Sequence, residues 1–149
     1  MKQDFILEAL TEAQIAQSNG DIPVGAVIVD PKNHNIIARG HNQVVKNNDP
    51  TAHAEIQAIR HAAQVLGKHR LDGYDIYSSL EPCTMCSATI SLSRIRRLYF
   101  ALEDIKFGAV ISNIRYFESH NCHHKTEYYY GFHEEQAQKI IKEFFAKKR

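Results

Sequence analysis

Phe5, Ile6, Ala9, Leu10, Ala13 and Ala16 recur at helical spacing and Asn19-Gly20 closes the pattern, which predicts an amphipathic helix over residues 4–18. Pro23-Val24-Gly25-Ala26-Val27-Ile28-Val29 is a short run without a polar residue and predicts a buried strand. Asp30-Pro31-Lys32-Asn33 supplies a turn, and Ile36-Ile37-Ala38-Arg39-Gly40 resumes extended structure, so the two strands form a hairpin. After a polar loop, Asp49-Pro50-Thr51 puts a capping residue and a proline where a helix should begin. Ile56, Ile59, Ala63 and Leu66 are its apolar stripe and Gly67 its stop. Residues 74–79 predict a strand, Glu81-Pro82 opens a second helix running to Leu92, and 97–101 predict another strand.

Residues 103–125 have little periodicity and predict a long loop with one helical turn; such loops are often functional. A short aromatic strand at 128–130 follows, then a helix over 133–148 with Ala137, Ile140, Ile141, Phe144 and Phe145 on its apolar face. Strands alternating with helices argue for an α/β sheet containing parallel pairs. With 149 residues, 44% of them apolar, and no internal repeat or linker, the chain is expected to be one domain, residues 1–149, that needs no disulfide framework. No apolar run is long enough to span a bilayer and the start lacks the layout of a secretion signal, so a cytoplasmic protein without membrane contact is expected. The net charge of +1, slightly acidic in the first half and slightly basic in the second, permits a polyanionic partner without requiring one.

The three cysteines, Cys83, Cys86 and Cys122, are odd in number, and two stand close together, which fits a metal site better than disulfides. Cys83 and Cys86 are three apart at a predicted helix start, where exposed amides and the helix dipole favour thiolates. With His53 they make three ligands; zinc prefers four, and a last position left to water means catalysis rather than scaffolding. Such a metal lowers the pKa of its water toward ~7, and a nearby carboxylate can move the proton, for which Glu55 is the candidate. Residues two apart point to different sides of a helix, but side chains of the first turn converge above its N-terminus, so the site is expected between two helix N-termini.

A pair of cysteines three apart can equally be a redox pair or half of a structural zinc site. With His53-Ala54-Glu55 upstream and Pro82 before Cys83, the pattern resembles the signature of the zinc nucleobase deaminases, among them the bacterial tRNA adenosine deaminases. Thr51-Ala52-His53-Ala54-Glu55-Ile56, Leu80-Glu81-Pro82-Cys83-Thr84-Met85-Cys86 and Ser93-Arg94-Ile95 resemble that family, a branch of the cytidine-deaminase superfamily. So do Pro23-Val24-Gly25-Ala26, Asn42, the stretch from Asp104 through Lys106 to Ala109, and Phe144-Phe145 before a basic terminus. The resemblance implies a three-layer α/β/α sandwich around a mixed five-stranded sheet, and a homodimer. It implies one zinc per chain on His53, Cys83 and Cys86, with no organic cofactor, and Glu55 as proton shuttle. It further implies substrate contacts from Asn42, the backbone N–H of Ala54 (pointing at the bound water), Asp104, Lys106 and Phe145. The reaction implied is hydrolytic conversion of adenosine to inosine at the wobble position of a tRNA, with the anticodon stem-loop as partner.

Ile111-Ser112 stands where family members commonly carry Gly-Ser, and Ala88 replaces a usual glycine, which bears on loop shape and helix packing rather than on the chemistry. His120-Asn121-Cys122-His123-His124-Lys125 has the residue types of a second metal site, but adjacent residues chelate one ion poorly and a solvated loop is expected. Arg94, Arg96 and Arg97, and the terminal Lys142, Lys147, Lys148 and Arg149, are either ordinary helix-end charges or phosphate contacts. Two other functions share the motifs. One is deamination of a free base such as guanine or cytosine, against which the C-terminal segment speaks; the other is a non-catalytic zinc-stabilised RNA-binding subunit, which has no need of Glu55.

Overall fold

A computed structural model describes residues 2–148. Helix α1 (Lys2–Ser18) leads into the hairpin β1 (Gly25–Asp30) and β2 (Asn35–His41), then the short α2 (Val44–Asn47) and α3 (Ala54–Leu66). Strand β3 (Asp75–Leu80), α4 (Thr84–Leu92), β4 (Arg97–Leu102), β5 (Glu127–Tyr130) and α5 (Glu134–Lys147) follow. The sheet order is β2-β1-β3-β4-β5. β1 is antiparallel to both β2 and β3, while β3, β4 and β5 run parallel, so the sheet is mixed. One 3-10 turn, Tyr116–Glu118, interrupts the long connection from β4 to β5.

Alternation along the strands divides the core into two layers. Ala26, Ile28, Ile76, Leu98 and Phe100 face α3 and α4, and Val27, Val29, Tyr77 and Tyr99 face α1 and α5. Because both faces are covered, the strands read as continuous apolar runs rather than as an apolar-polar alternation. Tyr77 stacks on Tyr99 at 4.5 Å and Tyr99 on Tyr129 at 5.4 Å, which gives the aromatic strand β5 its place at the sheet edge. The sheet is thus the middle layer of a three-layer α/β/α sandwich.

Two helix starts lie later than the sequence predicts. Asp49 caps a local turn, accepting from the Thr51 N–H at 2.8 Å and the Thr51 hydroxyl at 2.7 Å, so α3 starts at Ala54 with His53 as its N-cap. Glu81-Pro82 likewise precedes α4, whose N-cap is Cys83. The polar loop before Asp49 contains α2, whose first amides are capped from a distance: Asp21 accepts from Val45 N–H at 2.8 Å and Lys46 N–H at 3.3 Å. Gly40 lets α3 lie directly on β2, since a Cβ there would fall on the backbone of Ala54 and Ala58. Among the described residues no helix is long and apolar enough to cross a membrane.

Candidate metal and active site

The N-termini of α3 and α4 meet above one end of the sheet, and their N-cap residues are His53 and Cys83. Both have extended backbone (His53 φ −71°, ψ 154°; Cys83 φ −74°, ψ −179°), and neither side chain caps its own helix. Each is therefore free to turn toward the other helix. His53 Nδ1 lies 3.6 Å from the sulfur of Cys83 and 3.6 Å from that of Cys86. All three ligand atoms fall within 4.8 Å of one another. Zinc with bonds of about 2.0–2.1 Å to nitrogen and about 2.3 Å to sulfur has a tetrahedral N···S edge of about 3.6 Å, so the donor set fits that ion. Among the described residues this is the one grouping of three such side chains.

Hydrogen bonding within the cluster differentiates the two thiols. The Cys86 S–H, His53 and the Cys86 backbone N–H together pull the Cys83 thiol down to about 4 against the cost of burial. The Cys86 thiol is pushed far up, first by donating to Cys83 and then by burial. His53 is raised by its hydrogen bond to Cys83. The metal-free cluster thus carries one thiolate readily and resists a second, and a cation is what accommodates both.

Glu55 occupies the first turn of α3 and is 4% exposed. Burial pushes its carboxyl up to about 7, and its own backbone N–H only partly offsets this. A carboxyl near neutrality can both take and return a proton, as a general acid-base requires. The late start of α3 puts His53 and Glu55 over the helix end rather than on opposite lateral faces.

Asn42 follows β2 and is buried, with its Oδ1 accepting from the Ala54 N–H at 2.9 Å. The Ala54 N–H is thus directed to Asn42, which caps α3 in place of the N-cap side chain. The Asn42 amide nitrogen remains as its donor. Asp104 accepts from the N–H groups of Lys106 (3.2 Å) and Phe107 (3.1 Å), shaping its own turn. Lys106 is exposed, its ammonium 5.1 Å from the Phe107 ring centroid. That turn lies against the cysteine segment through a bridge between Gly108 and Cys83 and through Ala109 N–H donating to Pro82 C=O at 2.9 Å. Phe145 is exposed and edge-on to Phe144 on α5, across the sheet from α3 and α4.

Other sequence candidates find structural partners. Arg96 forms a two-point pair with buried Asp75 (2.9 and 2.7 Å), and Arg97 pairs with Glu127 at 3.1 Å. In the 120–125 segment Cys122 donates to His124 C=O at 3.1 Å, and Ser91 of α4 bonds both the C=O and the N–H of His124, at 2.9 and 2.7 Å. That is a loop tied to a helix end. Lys142, Lys147 and Lys148 lie on or just past α5, and Arg149 lies outside the described residues. One residue to which the sequence assigns no role beyond a helix start and a family motif, Glu81, is 3% exposed and accepts hydrogen bonds from four backbone amides and one hydroxyl of residues 104–112. The signal that could have found it is an acidic residue directly before Pro-Cys, in a connection otherwise apolar enough to be buried.

The profile of the cytidine and deoxycytidylate deaminase zinc-binding region matches residues 1–102. The tRNA-specific adenosine deaminase of Agrobacterium fabrum is 47% identical over 145 residues, 97% of this chain and 94% of the relative. The tRNA-specific adenosine deaminase of Aquifex aeolicus is 40% identical over 148 residues, 99% and 96%. A solved structure from a study of A-to-I editing by tRNA:A34 deaminases at the wobble position of transfer RNA superposes with a TM-score of 0.89 at 47% identity, covering 92% of this chain and 98% of that one. These likenesses extend through the C-terminal helix, beyond the zinc-binding region itself. The chain belongs to the cytidine and deoxycytidylate deaminase family, in its tRNA-specific adenosine deaminase branch.

Proposed function

We propose that this protein is a zinc-dependent hydrolase that deaminates adenosine to inosine at the wobble position of a tRNA anticodon loop. The observation that carries this reading is the placement of buried Glu55 in the first turn of α3, beside the His53–Cys83–Cys86 cluster between two helix N-termini. His53 Nδ1 and the two sulfurs would hold one zinc per chain, which supplies Lewis-acid activation of a water at neutral pH. Glu55 would accept a proton from the attacking water and deliver it to the adenine ring nitrogen as the water oxygen bonds to C6, then carry the remaining hydroxyl proton to the amino group, so that the C6–N bond breaks with loss of ammonia and leaves the 6-oxo product. Asn42 holds the first turn of α3 through Oδ1 and offers its amide N–H groups to the base or ribose. Asp104 and Lys106 present the adjoining turn to the RNA, and Phe145 with the lysines at the end of α5 meets more distant parts of the stem-loop. The protein works as a homodimer in the cytoplasm, without an organic cofactor.

The test is a mass-spectrometric deamination panel on zinc-loaded protein, with an arginine anticodon stem-loop beside free guanine, cytosine and adenosine. Inosine formed in the stem-loop alone is the expected result. Turnover of a free base with the stem-loop untouched would keep the metal chemistry and discard the RNA substrate.

A further inference from the structure

Glu81 takes no part in the proposed chemistry, yet its buried carboxylate accepts five hydrogen bonds. Oε1 accepts from Asp104 N–H at 2.9 Å and from the Ser112 hydroxyl at 2.9 Å. Oε2 accepts from the consecutive amides of Val110, Ile111 and Ser112 at 3.0, 2.9 and 3.0 Å. Successive amides converging on one oxygen make an anion-binding nest, and here the anion is the protein's own side chain. Among the described residues no Lys, Arg or His pairs with Glu81, so these donors alone compensate the buried charge.

What the carboxylate organises is a segment without regular structure of its own. Residues 104–112 carry the exposed side chains Ile105, Lys106 and Phe107 and lie against Cys83 through the Gly108 bridge. A Cβ at Gly108 would fall on the Glu81 carboxylate and the Asp104 carbonyl, so the segment can close on Glu81 only with glycine at that position. Asn113 completes the clasp from the other side, donating to the carbonyls of Ile105, Lys106 and Gly108 at 3.0, 3.3 and 2.8 Å. Glu81 is also two residues before Cys83, so one short stretch of chain sets both a metal ligand and the neighbouring loop.

We infer that Glu81 is a positioning residue: its carboxylate templates the 104–112 segment against the cysteine helix and thereby sets how tightly substrate is engaged, while leaving metal binding and proton transfer unchanged. This rests on the function proposed above, and it assigns the Asp104–Lys106 turn a fixed shape before RNA arrives. Such preorganisation lowers the ordering cost of binding.

Three variants test it. Glu81→Ala removes all five acceptor contacts. Glu81→Gln can turn its carbonyl to the Val110–Ser112 nest and keep three of them, so it serves as the conservative rescue. Gly108→Ala pushes the segment off Glu81 while leaving Glu81 in place, and carries the test should Glu81→Ala fail to fold. Zinc content by metal analysis, amide hydrogen exchange of residues 110–112, and the kinetics and binding of the anticodon stem-loop are measured for each. Expected are full zinc occupancy, loss of protection at 110–112, and a KM and Kd for the stem-loop raised about 20-fold with kcat within about 3-fold, as loss of positioning without loss of chemistry requires. Glu81→Gln should recover most of the binding. An unchanged KM, a fall confined to kcat, loss of zinc, or unaltered protection at 110–112 overturns the inference. If the unaltered protein leaves the stem-loop untouched while still protecting 110–112 in a Glu81-dependent way, it is the RNA substrate that has failed, and the substrate-engagement role falls with it while the clasp itself stands.

Discussion

Glu55 and Glu81 are equally buried, at 4% and 3% exposure, and each stands two residues from one end of the same cluster: Glu55 after His53, Glu81 before Cys83. Their surroundings differ in the number of donors. Glu81 has five, arranged around both oxygens. At Glu55 burial is only partly offset by its own backbone N–H, and its carboxyl rises to about 7. A buried carboxylate with its donors supplied is a piece of architecture, because displacing it would leave several amides unpaired. One short of donors exchanges its proton easily and is suited to chemistry. Asp75 adds a third solution, a buried carboxylate held by the Arg96 guanidinium.

Substitutions at these three carboxylates separate the roles. Glu55→Ala should have the largest effect on turnover, a loss of about 10³-fold or more with zinc retained and stability altered by less than about 1 kcal/mol. Metal analysis beside a melting curve checks it, and loss of zinc would make Glu55 a ligand instead. Its counterpart Cys86→Ala should lose both metal and activity, and stoichiometric zinc in that variant would reject the ligand set. Glu81→Ala should reverse the Glu55 pattern on stability, costing about 3 kcal/mol in denaturant unfolding because buried amides are left without an acceptor. Equal stability of the Glu55 and Glu81 variants would break the comparison.

Asp75→Ala is expected to cost about 2 kcal/mol, less than a fully buried pair, since Arg96 can turn to water. Zinc content should not change, because Asp75 lies at the start of β3 and the cluster beyond its end. Finest in scale is the difference between the two thiols. In metal-free protein the Cys83 thiol is drawn down and the Cys86 thiol pushed up, so alkylation followed by peptide mapping should modify Cys83 first. Simultaneous modification of both would remove the internal hydrogen bond from the account.

Most elements were legible in the apolar pattern. The strands, α1 and α5 were placed to within one or two residues, because burial on one or both faces leaves a periodic trace in the residues themselves. The starts of α3 and α4 were not, since a polar-proline pair such as Asp49-Pro50 or Glu81-Pro82 signals a local turn as well as it signals a cap. The difference matters: moving each start by a few residues makes His53 and Cys83 the N-caps and turns their side chains outward from the helix ends.

The sequence by itself determined which residues the deaminase chemistry is expected of, His53, Glu55, Cys83 and Cys86 in their spacing, and it determined the alternation of strands and helices. Only the tertiary structure decided where individual hydrogen bonds go. Ala54 N–H bonds to Asn42, and Glu81 closes on residues 104–112, because those partners are far apart in the chain and meet only after β2, α3 and β4 have packed. Spacing records what a residue can do within one helical turn or strand. Which buried donor finds which acceptor across the fold depends on the positions of whole elements, and no local pattern carries it.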